Sequence, residues 1–282
     1  MTDELTNDQS KSETRKKPIL LIVRLVTALT FIAMVTVNVL ANVLPINGVN
    51  TGQVSDSYLN LFAPAGLTFA IWGVIYLLLA VYTLYQFGLF QNSEQPFPEK
   101  LTIETGILFS LSSLANFAWI FAWHYDMIPL SMLLMLVILI LLAMISLKFR
   151  AARLNSRNRL LAGIAFGVYF GWITVATIAN ATTLLVYLDW TRFGLPEQLW
   201  TILILLAGTL IGSATMIRNR DLAYGLVLIW AYAGILIKHL AATGFAGQYP
   251  EVYSIVIVCL ALLLIALGWI FFQLKISSPA TK

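Results

Sequence analysis

A chain of 282 residues in which 60% are hydrophobic and 11% are charged has too little polar surface to cover a water-soluble globule of its size, which excludes a soluble enzyme. The mean hydropathy of +0.86 resides in uninterrupted apolar blocks, each reaching the roughly 18–20 residues needed to cross a hydrocarbon core of about 30 Å. The net charge is +4, and the one cysteine, Cys259, lies inside an apolar block, so neither an intrachain disulfide nor a cysteine metal cluster is available.

The leader MTDELTNDQSKSETRKKP is polar, mixed in charge and free of aromatics, which predicts a disordered cytoplasmic tail over residues 1–18. Splitting the remainder at its polar clusters predicts eight spans, at roughly 19–44, 65–88, 101–123, 128–147, 160–188, 198–217, 222–242 and 252–274, with boundaries good to about 2–4 residues. A second short cytoplasmic tail follows over residues 276–282. Lipid offers no partner for free backbone groups, and the blocks lack the alternation of a barrel strand, so the spans are helices. The fold class is all-α, a polytopic membrane helix bundle. The first block is too long for a signal-peptide core, and Ala41-Asn42-Val43 is a poor cleavage site, so the block is read as a retained helix.

Lys11, Arg15, Lys16 and Lys17 precede span 1, Lys100 precedes span 3, and Lys148, Arg150, Arg153, Arg157 and Arg159 fill the loop after span 4. Arg218, Arg220, Lys275 and Lys282 follow spans 6 and 8, while the opposite loops offer only Arg192. This asymmetry predicts a multi-pass protein of the cell membrane with both termini cytoplasmic. It also accounts for the basic charge, so no nucleic-acid partner is implied.

No Gly-rich phosphate loop, HExxH or paired intramembrane carboxylate occurs. The informative residues are aromatics and amides at helical spacing. Span 2 carries Thr68, Trp72 and Tyr76 four apart; span 3 carries Asn116, Trp119 and Trp123; span 5 carries Tyr169, Trp172, Ala176 and Asn180. At 100° per residue the span 5 set falls within about 80° of arc. With span 2 running inward and spans 3 and 5 outward, Trp72 and Asn180 lie about 12 Å below their outer ends, Asn116 about 10 Å and Trp119 about 6 Å. The stripes can therefore meet at one level, as a pocket for a large flat lipophile requires. The competing reading is bundle packing, with Asn bridging helices and Trp anchoring at the interface.

The run Thr51 to Tyr58, then Leu61, Pro64, Phe69, Trp72 and Tyr76, resembles the loop and second helix of the translocator protein / tryptophan-rich sensory protein (TspO/MBR) family. Asn116-x-x-Trp119 resembles that family's N-x-x-W, and Tyr169-x-x-Trp172-x-x-x-Ala176-x-x-x-Asn180 its helix 5 motif. The resemblance covers roughly residues 19–192. It implies a five-helix bundle that binds porphyrin, haem or a related hydrophobic aromatic ligand, requires no cofactor and often dimerises. The implied ligand-binding residues are Trp72, Tyr76, Asn116, Trp119, Trp123, Tyr169, Trp172, Ala176 and Asn180. Residues 193–275 are then three additional membrane helices.

Gly163, Gly167 and Gly171 form a small-residue ridge about 180° from the Trp172 face, and Gly208 and Gly212 form another. Such ridges suit close helix contact, with the added helices or with a second copy as the partner; the added helices are favoured because they need a docking face. Arg24 and Glu104, near helix ends, are read as reaching the interface or each other, and Lys238 and His239 as escaping to water or holding an anion. Three functions compete. The first is a sensory or translocator-like protein binding its ligand between spans 2, 3 and 5. The second is a multi-pass transporter of a small organic solute or lipid. The third, oxidation of a tetrapyrrole, ranks below both because no acid-base or metal constellation supports it.

Overall fold

Each apolar block forms a helix, and the polar residues between them form the turns. The computed structural model describes the backbone of residues 2–91, 96–152 and 154–277, and side chains from residue 18 to residue 276 within those stretches. The backbone of the tail expected at 1–18 is helical from Thr2, as the first part of α1, with side chains described from residue 18, and of the tail expected at 276–282 only Ile276 and Ser277 lie among the described residues.

The elements run in the order α1 (Thr2–Val43), α2 (Thr51–Ser57), a 3-10 turn (Gly66–Ala70) leading into α3 (Ile71–Gln86), α4 (Glu99–His124) and α5 (Ile128–Ala152). There follow α6 (Ser156–Asn158), a π turn (Arg159–Gly163), α7 (Ile164–Tyr187), α8 (Glu197–Asn219), α9 (Leu222–Leu240) and α10 (Pro250–Ser277). No strand occurs among the described residues, and 8 helices are long and apolar enough to cross a membrane, the first over Pro18–Val43. This is the expected all-α, polytopic membrane bundle. The α5 helix outlasts its apolar block because Lys148, still helical, turns to Glu104 of α4, with Nζ 2.8 Å from Oε2. Glu104 pairs there, and with Lys100 at 4.0 Å, rather than with Arg24.

Burial separates inner from outer helices. Of the span windows, 67% of that in α4 and 72% of that in α7 is buried, against 22% for α1 and α10, so α4 and α7 form the axis of the bundle. On one side α4 packs against α1 and α5, and α5 and α3 pack against α7; on the other side α9 lies on α7 and carries α10 and α8. The lipid-facing residues are apolar, Leu77 and Ile265 among them, as a bundle without an aqueous surface requires.

The Gly ridges make the two halves one structure. A Cβ on Gly171 would lie 2.9 Å from the Tyr224 carbonyl oxygen, and one on Gly167 2.7 Å from the Asp221 carboxylate. A Cβ on Gly212 would meet Leu228 at 2.5 Å, and one on Gly208 the Tyr232 hydroxyl at 2.8 Å. Gly167 and Gly171 of the first ridge and Gly208 and Gly212 of the second therefore face α9, which sits against α7 and α8 at a distance only small residues permit, while Gly163 lies against Arg159. The favoured docking partner is thus the one found, and the ridges are not free for a second copy.

Candidate ligand cavity

The roof is built locally. Asn50 caps α2 in a reciprocal box: its Oδ1 accepts from Gln53 N at 3.0 Å, and its own N donates to Gln53 Oε1 at 2.8 Å. Beyond α2, Asn60 folds the chain back on itself, its Oδ1 accepting from Phe62 N (3.1 Å) and Ala63 N (2.9 Å) while its Nδ2 donates to Tyr58 O (2.9 Å). Thr182 of α7 adds a further donor to the same oxygen at 3.3 Å.

Beneath this roof lies a small cavity of about 30 Å³, bounded by Trp72, Trp119, Trp123 and Trp172 and by Ala176 and Asn180. Trp72 meets Trp172 edge to face at 6.1 Å and 80°, and Phe69 meets Trp172 in the same way at 5.7 Å. On the opposite wall Trp119 and Trp123 stack at 5.5 Å and 21°. Their indole nitrogens are tied back, Trp119 Nε1 donating to Asn180 Oδ1 at 3.1 Å and Trp123 Nε1 to Thr51 O at 3.1 Å. Asn180 Nδ2 in turn donates to Ser131 Oγ at 3.0 Å, which brings α5 into the frame. Trp172 Nε1 differs: it is shielded from solvent and has no hydrogen-bond partner.

A family model described as TSPO-like protein matches residues 24–271. The chain belongs to the TSPO-like family. The matched region of this TSPO-like protein runs on through α8 and α9 into α10, past residue 192 where the motifs legible in the sequence end. No curated protein and no solved structure matches the chain. With family and helices together, the protein is a multi-pass membrane protein of TspO type.

Not every expected site residue reaches the cavity of this TSPO-like protein. Trp72, Trp119, Trp123, Trp172, Ala176 and Asn180 line it, whereas Asn116, Tyr76 and Tyr169 do not. Asn116 is fully buried between helices: its Oδ1 accepts from Asn38 Nδ2 of α1 at 2.8 Å, and its Nδ2 donates to the Tyr169 hydroxyl at 3.3 Å. That is the bridging role of the packing reading. Tyr76 stacks behind Trp72 at 5.5 Å and 22°, and Tyr169 meets Trp72 at 6.2 Å, so both support the wall from outside. Conversely, Thr51, Ser55 and Pro64 of the roof, which the sequence placed in the family-like loop but not among the ligand-binding residues, and Met135 of α5, which it did not single out, line the cavity. Met135 sits in a uniformly apolar run, and the roof residues carry no helical period.

The roof is fastened to α9. Ala65 N donates to Gly234 O at 3.0 Å, Trp230 Nε1 to Thr68 O at 3.0 Å and His239 Nε2 to Leu61 O at 2.9 Å. Lys238 Nζ lies 2.6 Å from Asp56 Oδ1. Lys238 and His239 therefore hold the loop, in place of escaping to water or gripping an anion.

The residues around the cavity suit some ligands better than others. They offer indole faces, the Trp172 donor and the hydroxyls of Thr51, Ser55 and Thr183, but no Lys, Arg, His or Cys. The Met135 thioether is the only soft donor among the lining residues. That set fits a metal-free aromatic ring better than haem, whose iron is held by imidazole or sulfur ligands.

Proposed function

We propose that this TSPO-like protein binds a flat hydrophobic aromatic ligand, a metal-free porphyrin or a related lipophile, in the cavity between α3, α4 and α7, as a sensory or translocator-like protein of the cell membrane with both termini cytoplasmic. The observation that carries the reading is Trp172. Its indole is 2% exposed, its Nε1 has no partner, and its ring forms part of the cavity wall. An unpaired donor in an apolar membrane interior costs roughly 1–3 kcal/mol, and a ligand acceptor such as a ring nitrogen or carbonyl removes that cost. The faces of Trp72, Trp119 and Trp123 supply stacking area, and Ala176 leaves room beside them. A planar ligand larger than this cavity enters by moving the two indole walls apart. The Lys and Arg asymmetry of the loops supports the orientation.

Protoporphyrin titrated into the detergent-purified protein, followed by tryptophan quenching, tests the reading. Saturable quenching should weaken by about tenfold in Trp172→Phe, which keeps a ring but loses the donor. Equal affinity in the variant, or no saturable quenching by any aromatic lipophile in wild type, would contradict it.

A further inference from the structure

Where α7 ends and α8 begins, a second cavity of about 50 Å³ opens beside the Asn60 turn. Phe62, Leu185, Val186 and Ile204 form its apolar wall. Trp190 and Trp200 form its rim, their rings 4.9 Å apart at 33°. Most of the polar atoms here are already engaged. Asn60 Oδ1 is taken by the turn it makes and by Thr182, Asn60 Nδ2 donates to Tyr58 O, and Thr201 Oγ1 donates to Glu197 O at 2.9 Å. What remains is Arg192 Nε and Trp200 Nε1, both shielded and without a partner, and the Glu197 carboxylate. Among the described residues neither Arg192 nor Glu197 forms an ion pair.

The backbone at this point is also unusual. Asp189 (φ 50°), Arg192 (φ 56°) and Phe193 (φ 53°) are all left-handed without being glycine, at a cost of roughly 1 kcal/mol or more each. The turn brings Arg192 to the cavity wall.

We propose that this cavity binds a zwitterionic amphiphile: an oxyanion received by the Arg192 and Trp200 donors, an ammonium received by Glu197, and an apolar body lying along Phe62, Leu185 and Ile204. Two donors without acceptors in a shielded site select a charged oxygen, and the guanidinium is the side chain best shaped to hold one. Glu197 decides the rest, because a simple anion would meet its like charge and a simple cation would meet Arg192. Only a ligand carrying both charges leaves nothing unpaired. A phosphatidylethanolamine head group and a soluble phosphoethanolamine-like molecule share this chemistry.

The test uses full-length, delipidated protein in a nonionic detergent, with short-chain phosphatidylethanolamine, phosphatidylglycerol and diacylglycerol and with free phosphoethanolamine, read as equilibrium binding. Phosphatidylethanolamine should bind about tenfold more tightly than phosphatidylglycerol or diacylglycerol. Arg192→Ala should cost about tenfold in its affinity, and Glu197→Gln should erase its preference over phosphatidylglycerol. Competition by phosphoethanolamine at comparable concentration would support the site with the soluble molecule as its source; competition only by the lipid would support the membrane as the source. Equal binding of the three lipids overturns the proposal, as does a preference unchanged in Glu197→Gln. Should Arg192→Ala fail to fold, Arg192→Lys takes its place, and unchanged affinity in a variant that melts like wild type overturns the proposal equally.

Discussion

Lys238 of α9 and Asp56 of the cavity roof are joined by an ion pair of 2.6 Å, with Lys238 16% and Asp56 54% exposed. Three main-chain contacts reinforce the join: Ala65 to Gly234, Trp230 to Thr68 and His239 to Leu61. A helix beyond the last sequence motif, α9, thus holds the loop that covers the cavity.

Because Asp56 is half in solvent, the pair itself is worth only about 0.2–1 kcal/mol. Lys238→Met should therefore lower stability slightly while loosening the roof. With a cysteine at the buried Ser55, in a Cys259→Ala background, thiol labelling should be faster in Lys238→Met than in the parent. Equal labelling rates would show that the pair does not restrain the loop.

The α7–α9 contact should be intolerant of volume. In Gly171→Ala the new Cβ would lie 2.9 Å from Tyr224 O and 3.0 Å from Val227 Cβ, and overpacking of this kind costs typically about 1–3 kcal/mol. Gly268→Ala in α10, where a Cβ meets nothing within 4 Å, serves as the control and should melt like wild type or slightly higher. Detergent-based thermal unfolding of the two variants checks this.

Asn116 should matter for stability and not for the ligand. Asn116→Ala leaves both Asn38 Nδ2 and the Tyr169 hydroxyl short of a partner, a loss on the order of 1 kcal/mol for an interhelical bridge in a membrane. A melting temperature that falls while protoporphyrin affinity stays within about twofold is the expected outcome. A large loss of affinity at unchanged stability would return Asn116 to the cavity wall.

Asp221 caps α9, accepting from Tyr224 N at 3.0 Å, and its carboxyl is held above the ordinary carboxylate range by burial, against the opposing pull of the Tyr224 and Ala223 N–H groups and Arg159. A carboxyl raised in the folded state contributes stability below its unfolded pKa of about 3.9 and loses it as pH rises through the raised native value. Asp221→Asn keeps the cap without the charge, so it should gain on wild type as pH climbs from about 4 to 7. Asp221→Ala should lose about 1 kcal/mol, the usual worth of a cap. Paired unfolding curves across that range measure both.

The membrane helices were legible because apolar length is a one-dimensional signal, and Trp72, Trp119, Trp172 and Asn180 because a helical period keeps each set on one face. Asn116 and Trp119, three residues apart, share a face by that rule, yet the helix is rotated so that Trp119 reaches the cavity and Asn116 reaches α1. Periodicity fixes a stripe and not its azimuth. The roof was hidden for another reason: Leu61, Thr68 and Gly234 bind through carbonyl oxygens, which every residue possesses. Arg192 was visible as a lone charge, but its cavity depends on a left-handed turn that its residue types do not announce.

The most direct measurement is protoporphyrin affinity, by tryptophan quenching, in Ala176→Leu beside Ala207→Leu. Ala176 lines the cavity next to Trp172, whereas Ala207 is exposed on α8. Filling the space at Ala176 should weaken binding by about tenfold or more, while Ala207→Leu should bind like wild type. Unchanged affinity in an Ala176→Leu protein that still folds would contradict the account and leave these indoles and amides as packing.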